Sequence, residues 1–364
     1  MTSTLRIGFV SSRLNHWTNG RFCQSNFPLW YHSRRLADSG VRIDFLDPAR
    51  SVRRNRTYDW VWIDSRASLP RDVHRAEFSR DLCKKYRGCA GRTAYLDNSD
   101  SGGTANLELL DTFDRYFKKQ VYADRRRYQL AEHQNRIHCN FYASRYGIRD
   151  CRTAPARSPI SESELSRLRI SWNILLSNNY AAGRLHRART GLWRRQLPKP
   201  FPWSQRCQAV FARWSDSHAL ASVGEPRREI AKRLSCESGR AIRYAVGVCA
   251  AGQYRREIVR AVGVVSPFGW GEICYRDLEA FVVGAALLKP SVDHLETWPS
   301  LFVPGETYVS LPWAYDELVA AVALAVGQDG LLRHIAETGQ SRLRKYWDSD
   351  GADLFADQVR SMLA

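Results

Sequence analysis

The chain has 364 residues, of which 44% are hydrophobic and 12% aromatic, and it carries a formal net charge of +18. That is enough apolar surface for ordered cores and more length than a single core usually fills, so disorder is excluded and two domains are expected. No run approaches the roughly 20 apolar residues that span a bilayer, no apolar signal segment opens the chain, and the nine cysteines include no C-x-x-C pair. These features point to a cytoplasmic protein with reduced thiols and no structural metal.

In chain order, Leu5 to Val10 (LRIGFV) predicts a buried strand, followed by a polar loop from Ser11 to Gly20. Further strand-like runs at Val41-Leu46, Asp59-Ile63 and Thr93-Leu96 end in polar or acidic residues, the pattern of a mainly parallel α/β unit. Residues 112 to 131 are heavily charged and compatible with a helix. Residues Leu197 to Trp203 (LPKPFPW) place three prolines in seven residues, which no helix or central strand tolerates, so the domains are drawn at 1–196 and 204–364. Beyond that linker, strand-like runs at Ala209-Ala212, Ala241-Val248 and Val262-Val265 alternate with helical segments at Glu225-Leu234 and Gln253-Arg260, giving a second α/β unit.

The segment Ser266 to Val309 carries the most chemistry. A strand at Val262-Val265 runs into a loop with Gly269 and Gly271, then a helix expected from about Glu272 to Val283, stopped by Gly284 before a strand at Ala286-Lys289. Ligands of open parallel sheets bind outside the carboxyl ends of strands, which is where this loop falls. On the expected helix Glu272, Arg276 and Glu279 lie at i, i+4 and i+7 and share a face. A guanidinium beside a helix N-terminus suits a diphosphate, and a carboxylate one turn on can accept from ribose hydroxyls. The same spacing also describes an ordinary surface Glu-Arg pair.

The layout S-P-x-G-x-G-E-x-x-x-R-x-x-E-A-x-x-x-G-A-x-L-x-K resembles the donor site of GT-B glycosyltransferases, with an Arg three residues before the last Glu as in exostosin-like members. Glu306-Val309, the Trp313-Val326 stretch and the Ile335-Trp347 stretch resemble that family's C-terminal tail, so the likeness covers about residues 205 to 364. It implies two Rossmann-like domains facing a cleft and a nucleotide-sugar donor, without a cofactor. In that frame Glu279 would bind the ribose and Arg276 the diphosphate, Glu272 would meet the transferred sugar, and Ser266, Pro267, Phe268, Gly269 and Gly271 would line the phosphate pocket. Glu272 and Glu279 stand one residue closer than in the common retaining motif. The family's earlier Arg/Lys pair is not evident, Arg213 being the residue that could supply one charge. The donor segment Ser266 to Val309 contains no D-x-D triplet to hold a metal against the donor.

The acceptor is expected on the N-terminal half, as a glycan, a lipid-linked glycan or another polysaccharide-type molecule. His16, Asp64, Asp97 and Asp100 follow strands there and are candidates for a catalytic base, His16 and Asp100 foremost, although each also fits an ordinary loop or capping role. Neither retention nor inversion is fixed by these residues. The set Tyr116, Lys118, Lys119, Gln120, Tyr122 and Arg125 is basic and aromatic at helical spacing and could meet an anionic or glycan acceptor. The net charge fits an anionic membrane face. Nucleic acid is the alternative that charge alone raises, unsupported by any zinc-finger or RRM pattern; an inactive glycan-binding relative is the other.

Overall fold

The computed structural model describes residues 4–11, 25–50, 57–67, 75–151, 154, 160–176, 201–237, 243–347 and 349–364. Two fully parallel sheets organise them. The first contains six strands in the order β2-β1-β3-β4-β5-β7, from β1 (Leu5–Val10), β2 (Val41–Leu46), β3 (Tyr58–Asp64), β4 (Ala90–Asp97), β5 (Arg115–Lys118) and β7 (Leu168–Ile170). The second has five, in the order β13-β11-β10-β8-β9, from β8 (Cys207–Ala212), β9 (Arg243–Val246), β10 (Ala261–Val265), β11 (Ala286–Pro290) and β13 (Val309–Leu311). Strands covered on both faces are mostly apolar; β10 (AVGVV) and β11 (ALLKP) are buried at every residue, Lys289 being admitted to β11 by its pairing with Asp277.

The two units have the expected Rossmann-like character and are tied together by two elements that cross between them. Strand β12 (Leu295–Thr297), from the C-terminal half, pairs antiparallel with β6 (Gln120–Tyr122) of the N-terminal half. The helix Ser349–Leu363 returns to the first unit, where the Phe355 ring packs on His32 and Trp172. One continuous apolar core accordingly runs from Ile7 through Phe281 to Leu363. Among the described residues, no single helix is long and apolar enough to cross a membrane.

Several expected elements are found with small boundary changes: β1 and β2 span the expected residues, and Gly284 ends its helix in the left-handed conformation, φ 66. The expected helix over 112–131 is overturned. That stretch forms β5, β6 and a short 3-10 turn, so Tyr116, Lys118, Lys119, Gln120, Tyr122 and Arg125 form no basic and aromatic helix face. Lys118 misled the reading because it is fully buried, its ammonium held by Asp97, the Ser99 hydroxyl and the Thr104 carbonyl. A lysine can enter a core only when paired in this way. Residues 197–200 of the proposed linker lie outside the described residues.

Candidate active site

In the second sheet the strand order reverses between β8 and β10, since β9 lies on one side of β8 and β10 on the other. The loops leaving those two strands, Arg213–Leu220 and Ser266–Cys274, therefore flank a switch-point crevice. The helix after β10 begins later than expected, at Tyr275, with Cys274 as its N-cap. Glu272 consequently lies in the loop and does not share a helix face with Arg276 and Glu279. The remaining face is sharply divided: Tyr275, Arg276 and Glu279 are half-buried, whereas Asp277, Leu278 and the residues from Ala280 to Val283 are buried.

The loop is built from below. Asp277 accepts from the Ser266 hydroxyl at 2.5 Å and from the Cys274 amide at 3.0 Å, and its carboxylate is 2.9 Å from the buried Lys289 ammonium of β11. Ser266 is thus part of the floor, its proton already committed. Pro267, Phe268 and Gly269 are buried as well, and the Phe268 ring lies against His138 and Trp313. Gly271 is required by close approach to backbone, whereas the neighbour of Gly269 is the end of a flexible side chain. A Cβ on Gly269 would lie 2.8 Å from Arg227 Nη2, and one on Gly271 would lie 1.8 Å from the Asp100 carbonyl oxygen. Gly271 accordingly fits the loop to the N-terminal half, which corrects its expected place in a phosphate pocket.

Arg276 donates from Nε to the Arg213 carbonyl at 3.0 Å and lies 5.6 Å from the Trp214 ring centroid. Arg213 does not add a second charge there, since its guanidinium forms a two-point pair with Glu257 at 2.8 and 3.0 Å. The second charge comes from Arg227, on the helix Ala221–Glu237, which donates to the carbonyls of Phe268 at 2.8 Å and Ser215 at 3.1 Å. Burial and then the neighbouring Arg276 push the Arg227 pKa down to about 10. Among the described residues neither Arg227 nor Arg276 has a carboxylate at ion-pair distance. One turn along from Arg276, Glu279 Oε2 accepts from the Tyr254 hydroxyl at 2.5 Å, and burial raises its carboxyl pKa.

Glu272 is buried completely between the two halves. Its carboxylate accepts from the Ser101 hydroxyl at 3.0 Å, the Gly102 amide at 2.9 Å and Gln120 Nε2 at 3.1 Å, all from the N-terminal half. His138 Nδ1 lies 3.5 Å away and His294 Nε2 3.9 Å away. Burial opposes the charged form, yet His138 and His294 hold the Glu272 pKa well below the ordinary carboxylate value. In this closed arrangement the side chain pins the halves and has no open path to a sugar, which corrects its expected position facing the donor.

On the N-terminal side Asp64 is a buried hub that accepts from Ser11, Asn26, Asn98 and the Arg66 amide, with burial raising its pKa. Asp97 is consumed by Tyr116 at 2.7 Å and Lys118 at 3.3 Å. Asp100 is half-exposed but paired with Lys119 at 2.8 Å and Arg66 at 3.6 Å. Burial acts against these cations and loses, so the Asp100 pKa falls below its ordinary value, which makes it a weak proton acceptor. His16 lies outside the described residues.

No known family profile matches the chain, and no curated protein matches it in sequence. Among solved structures it is similar to an α-glucosyltransferase in complex with UDP and a 13-mer DNA, at 10% identity over all of both chains, with a TM-score of 0.45. It is similar also to sucrose-phosphate synthase from Thermosynechococcus elongatus, at 11% identity over 99% of each chain and a TM-score of 0.44. A third is a putative UDP-N-acetylglucosamine 2-epimerase from Listeria monocytogenes, at 9% identity over 99% of this chain and 96% of that one, with a TM-score of 0.44. Likeness at this level carries no inference about chemistry.

Proposed function

We propose that this protein is a glycosyltransferase whose C-terminal half holds a nucleotide-sugar by its diphosphate. The observation that carries the reading is the pair Arg227 and Arg276, the second of which adds to burial in lowering the pKa of the first, set at the switch-point crevice with no carboxylate partner among the described residues. Keeping like charges together without a counter-ion is costly, and a diphosphate with its several oxygens relieves that cost. The same contacts strengthen as negative charge builds on the departing nucleotide, so they favour the transition state over the bound donor. The arginines take the role a divalent ion would otherwise fill. Glu279, fixed through one oxygen by Tyr254, has its other oxygen available for a ribose hydroxyl.

In this reading the acceptor is a glycan or lipid-linked glycan that approaches from the N-terminal half. The +18 charge supports a cytoplasmic enzyme that works peripherally at an anionic leaflet. The test is a thermal-shift panel of UDP-, GDP-, ADP-, dTDP- and CMP-sugars, because a ligand that binds only the native state raises its melting point. At least one nucleotide-sugar should raise it, and the rise should vanish in Arg276→Ala. No response to any member of the panel defeats the proposal.

A further inference from the structure

Next to the diphosphate pair stands a third arginine in an unusual state. Arg136, the residue before the helix Ile137–Tyr146 of the N-terminal half, is only 8% exposed. Its Nε is buried with no hydrogen-bond partner, and among the described residues no carboxylate lies at ion-pair distance from its guanidinium. Its one recorded contact is with the Trp270 ring, whose centroid lies 5.3 Å from the guanidinium carbon. Trp270 is 47% exposed, although the loop residues on either side of it are buried. The His218 ring also lies against Trp270, 4.5 Å away, centroid to centroid.

His218 joins the two arginine positions. Burial, then Arg227, then Arg136 act together to hold its pKa below the ordinary value. Its Nδ1 accepts from the Leu220 amide at 3.1 Å, while its Nε2 is buried without a partner. The nearby carboxylate, Asp150, is committed elsewhere: it accepts from the Ser222 amide at 2.9 Å and the Ser222 hydroxyl at 2.6 Å, and it pairs with His133 at 3.0 Å. A guanidinium so largely withdrawn from water, with its Nε orphaned and no carboxylate beside it, is expensive, so its position is explained by an anion that arrives from outside.

We propose that Arg136, His218 and Trp270 form a second anion subsite, distinct from the Arg227–Arg276 pair, that receives a phosphate ester carrying a flat or apolar group. Arg136 supplies a planar fork of donors and His218 a further donor from Nε2, a set that suits the several oxygens of a tetrahedral phosphate. The exposed Trp270 face takes the attached group. Because Arg136 comes from the N-terminal half and the other two residues from the C-terminal half, the subsite forms only when the halves are together. It deepens the glycosyl-transfer reading, on which it rests for its meaning: the phosphate belongs to the acceptor, and the enzyme is one for phosphorylated acceptors.

The experiment uses the full chain with inorganic phosphate, phenyl phosphate, benzoate and UDP as probes, by thermal shift and isothermal titration. Phenyl phosphate should bind the parent more tightly than inorganic phosphate, and Trp270→Ala, at an exposed position, should abolish that preference. Arg136→Gln should weaken phenyl phosphate about tenfold or more, the usual cost of losing charged hydrogen bonds. In phosphate-free buffer that variant should melt no lower than the parent, because it removes an uncompensated charge. With excess UDP filling the Arg227–Arg276 pair, phenyl phosphate should still bind the parent, since the two subsites are separate. Unchanged phenyl phosphate binding in both Arg136→Gln and Trp270→Ala overturns the proposal, as does benzoate binding as tightly as phenyl phosphate. Should Arg136→Gln fail to fold, the arginine is structural and the proposal falls unless Trp270→Ala alone removes the phenyl preference. If no nucleotide binds while the phosphate responses persist, the glycosyl-transfer reading fails and the subsite stands.

Discussion

Replacing Glu272 by alanine should loosen the two halves from each other. The change removes the shared acceptor of Ser101, Gly102 and Gln120 and leaves the buried Ser101 and Gly102 donors without a partner, beside His138, while Gln120 keeps its bond to the Asp100 carbonyl at 2.7 Å. Breaking a buried, hydrogen-bonded charge cluster costs about 3–5 kcal/mol. With an unfolding entropy of roughly 2.1 cal/mol/K per residue, the 364-residue chain loses about 0.76 kcal/mol per degree, so the melting point should fall by about 4–7 °C. Glu272→Gln retains the shape and an acceptor oxygen and should lose roughly half as much. The effect also has a pH signature. The Glu272 pKa is depressed, so its contribution is complete above about pH 4.5 and fades as the pH falls below that value. Burial pulls the His138 pKa down, but Cys139 and Glu272 outweigh it and carry it up to about 9, so its contribution is complete below about pH 6.5 and is lost as the pH rises through about 9. The parent-minus-variant difference should therefore be largest between about pH 4.5 and 6.5. Calorimetry across pH 4–10 measures it. A fall of less than 1 °C at pH 6, or a difference that keeps growing to pH 10, refutes the reasoning.

Other perturbations address separate contacts. Gly271→Ala should weaken the same junction by a different route, since its methyl would meet the Asp100 carbonyl; faster proteolysis between the halves is the readout, and unchanged digestion counts against a closed fit. Arg227→Ala should weaken nucleotide-sugar binding by roughly ten- to hundredfold, from about 1.5–3 kcal/mol, with equal titration isotherms as the contrary result. Transfer activity should survive excess EDTA, and complete loss restored by manganese or magnesium would contradict charge neutralisation by arginine. Phosphatidylglycerol vesicles should sediment the protein at low salt and release it at high salt, whereas equal recovery with neutral vesicles speaks against a leaflet contact.

The strands were legible where burial on both faces made most of their length apolar, as in Ile7–Val10 of β1, all of β10 and Ala286–Leu288 of β11, because such runs have one meaning in an α/β protein. The reading failed where polar residues entered the core in pairs. Lys118 with Asp97 turned a buried strand into an apparent charged helix, and Ser266, Asp277 and Lys289 made an internal network from residues that look like a ligand loop. The position of Arg276 followed from its spacing after the glycine loop. Arg227 did not, because it lies far along the chain on another helix and nothing local marks it out; Pro226 and the second arginine beside it were the available signals. Glu272 was placed one turn too deep in the helix because a Glu after glycine is a common first-turn residue, whereas Cys274 with Asp277 made the actual cap. His138 and His294 were invisible as partners, since contacts across the halves leave no periodic trace.

The helix Ser349–Leu363 has a bearing on how the protein is made. Its Arg360 bonds the Ser39 carbonyl at 2.6 Å, Gln358 bonds those of Ile170 and Ser171 at 3.2 and 3.1 Å, and Phe355 fills a space beside His32 and Trp172. These contacts complete the first unit with residues that follow the whole second unit in the chain. Chains commonly finish an N-terminal domain while the rest is still being synthesised. Here the first unit emerges with an apolar face it cannot cover, and that face stays open for the time needed to translate the whole second unit. Holding chaperones have a defined target in that interval, and an N-terminal fragment expressed without residues 349–363 should bind a hydrophobic dye that the full chain does not.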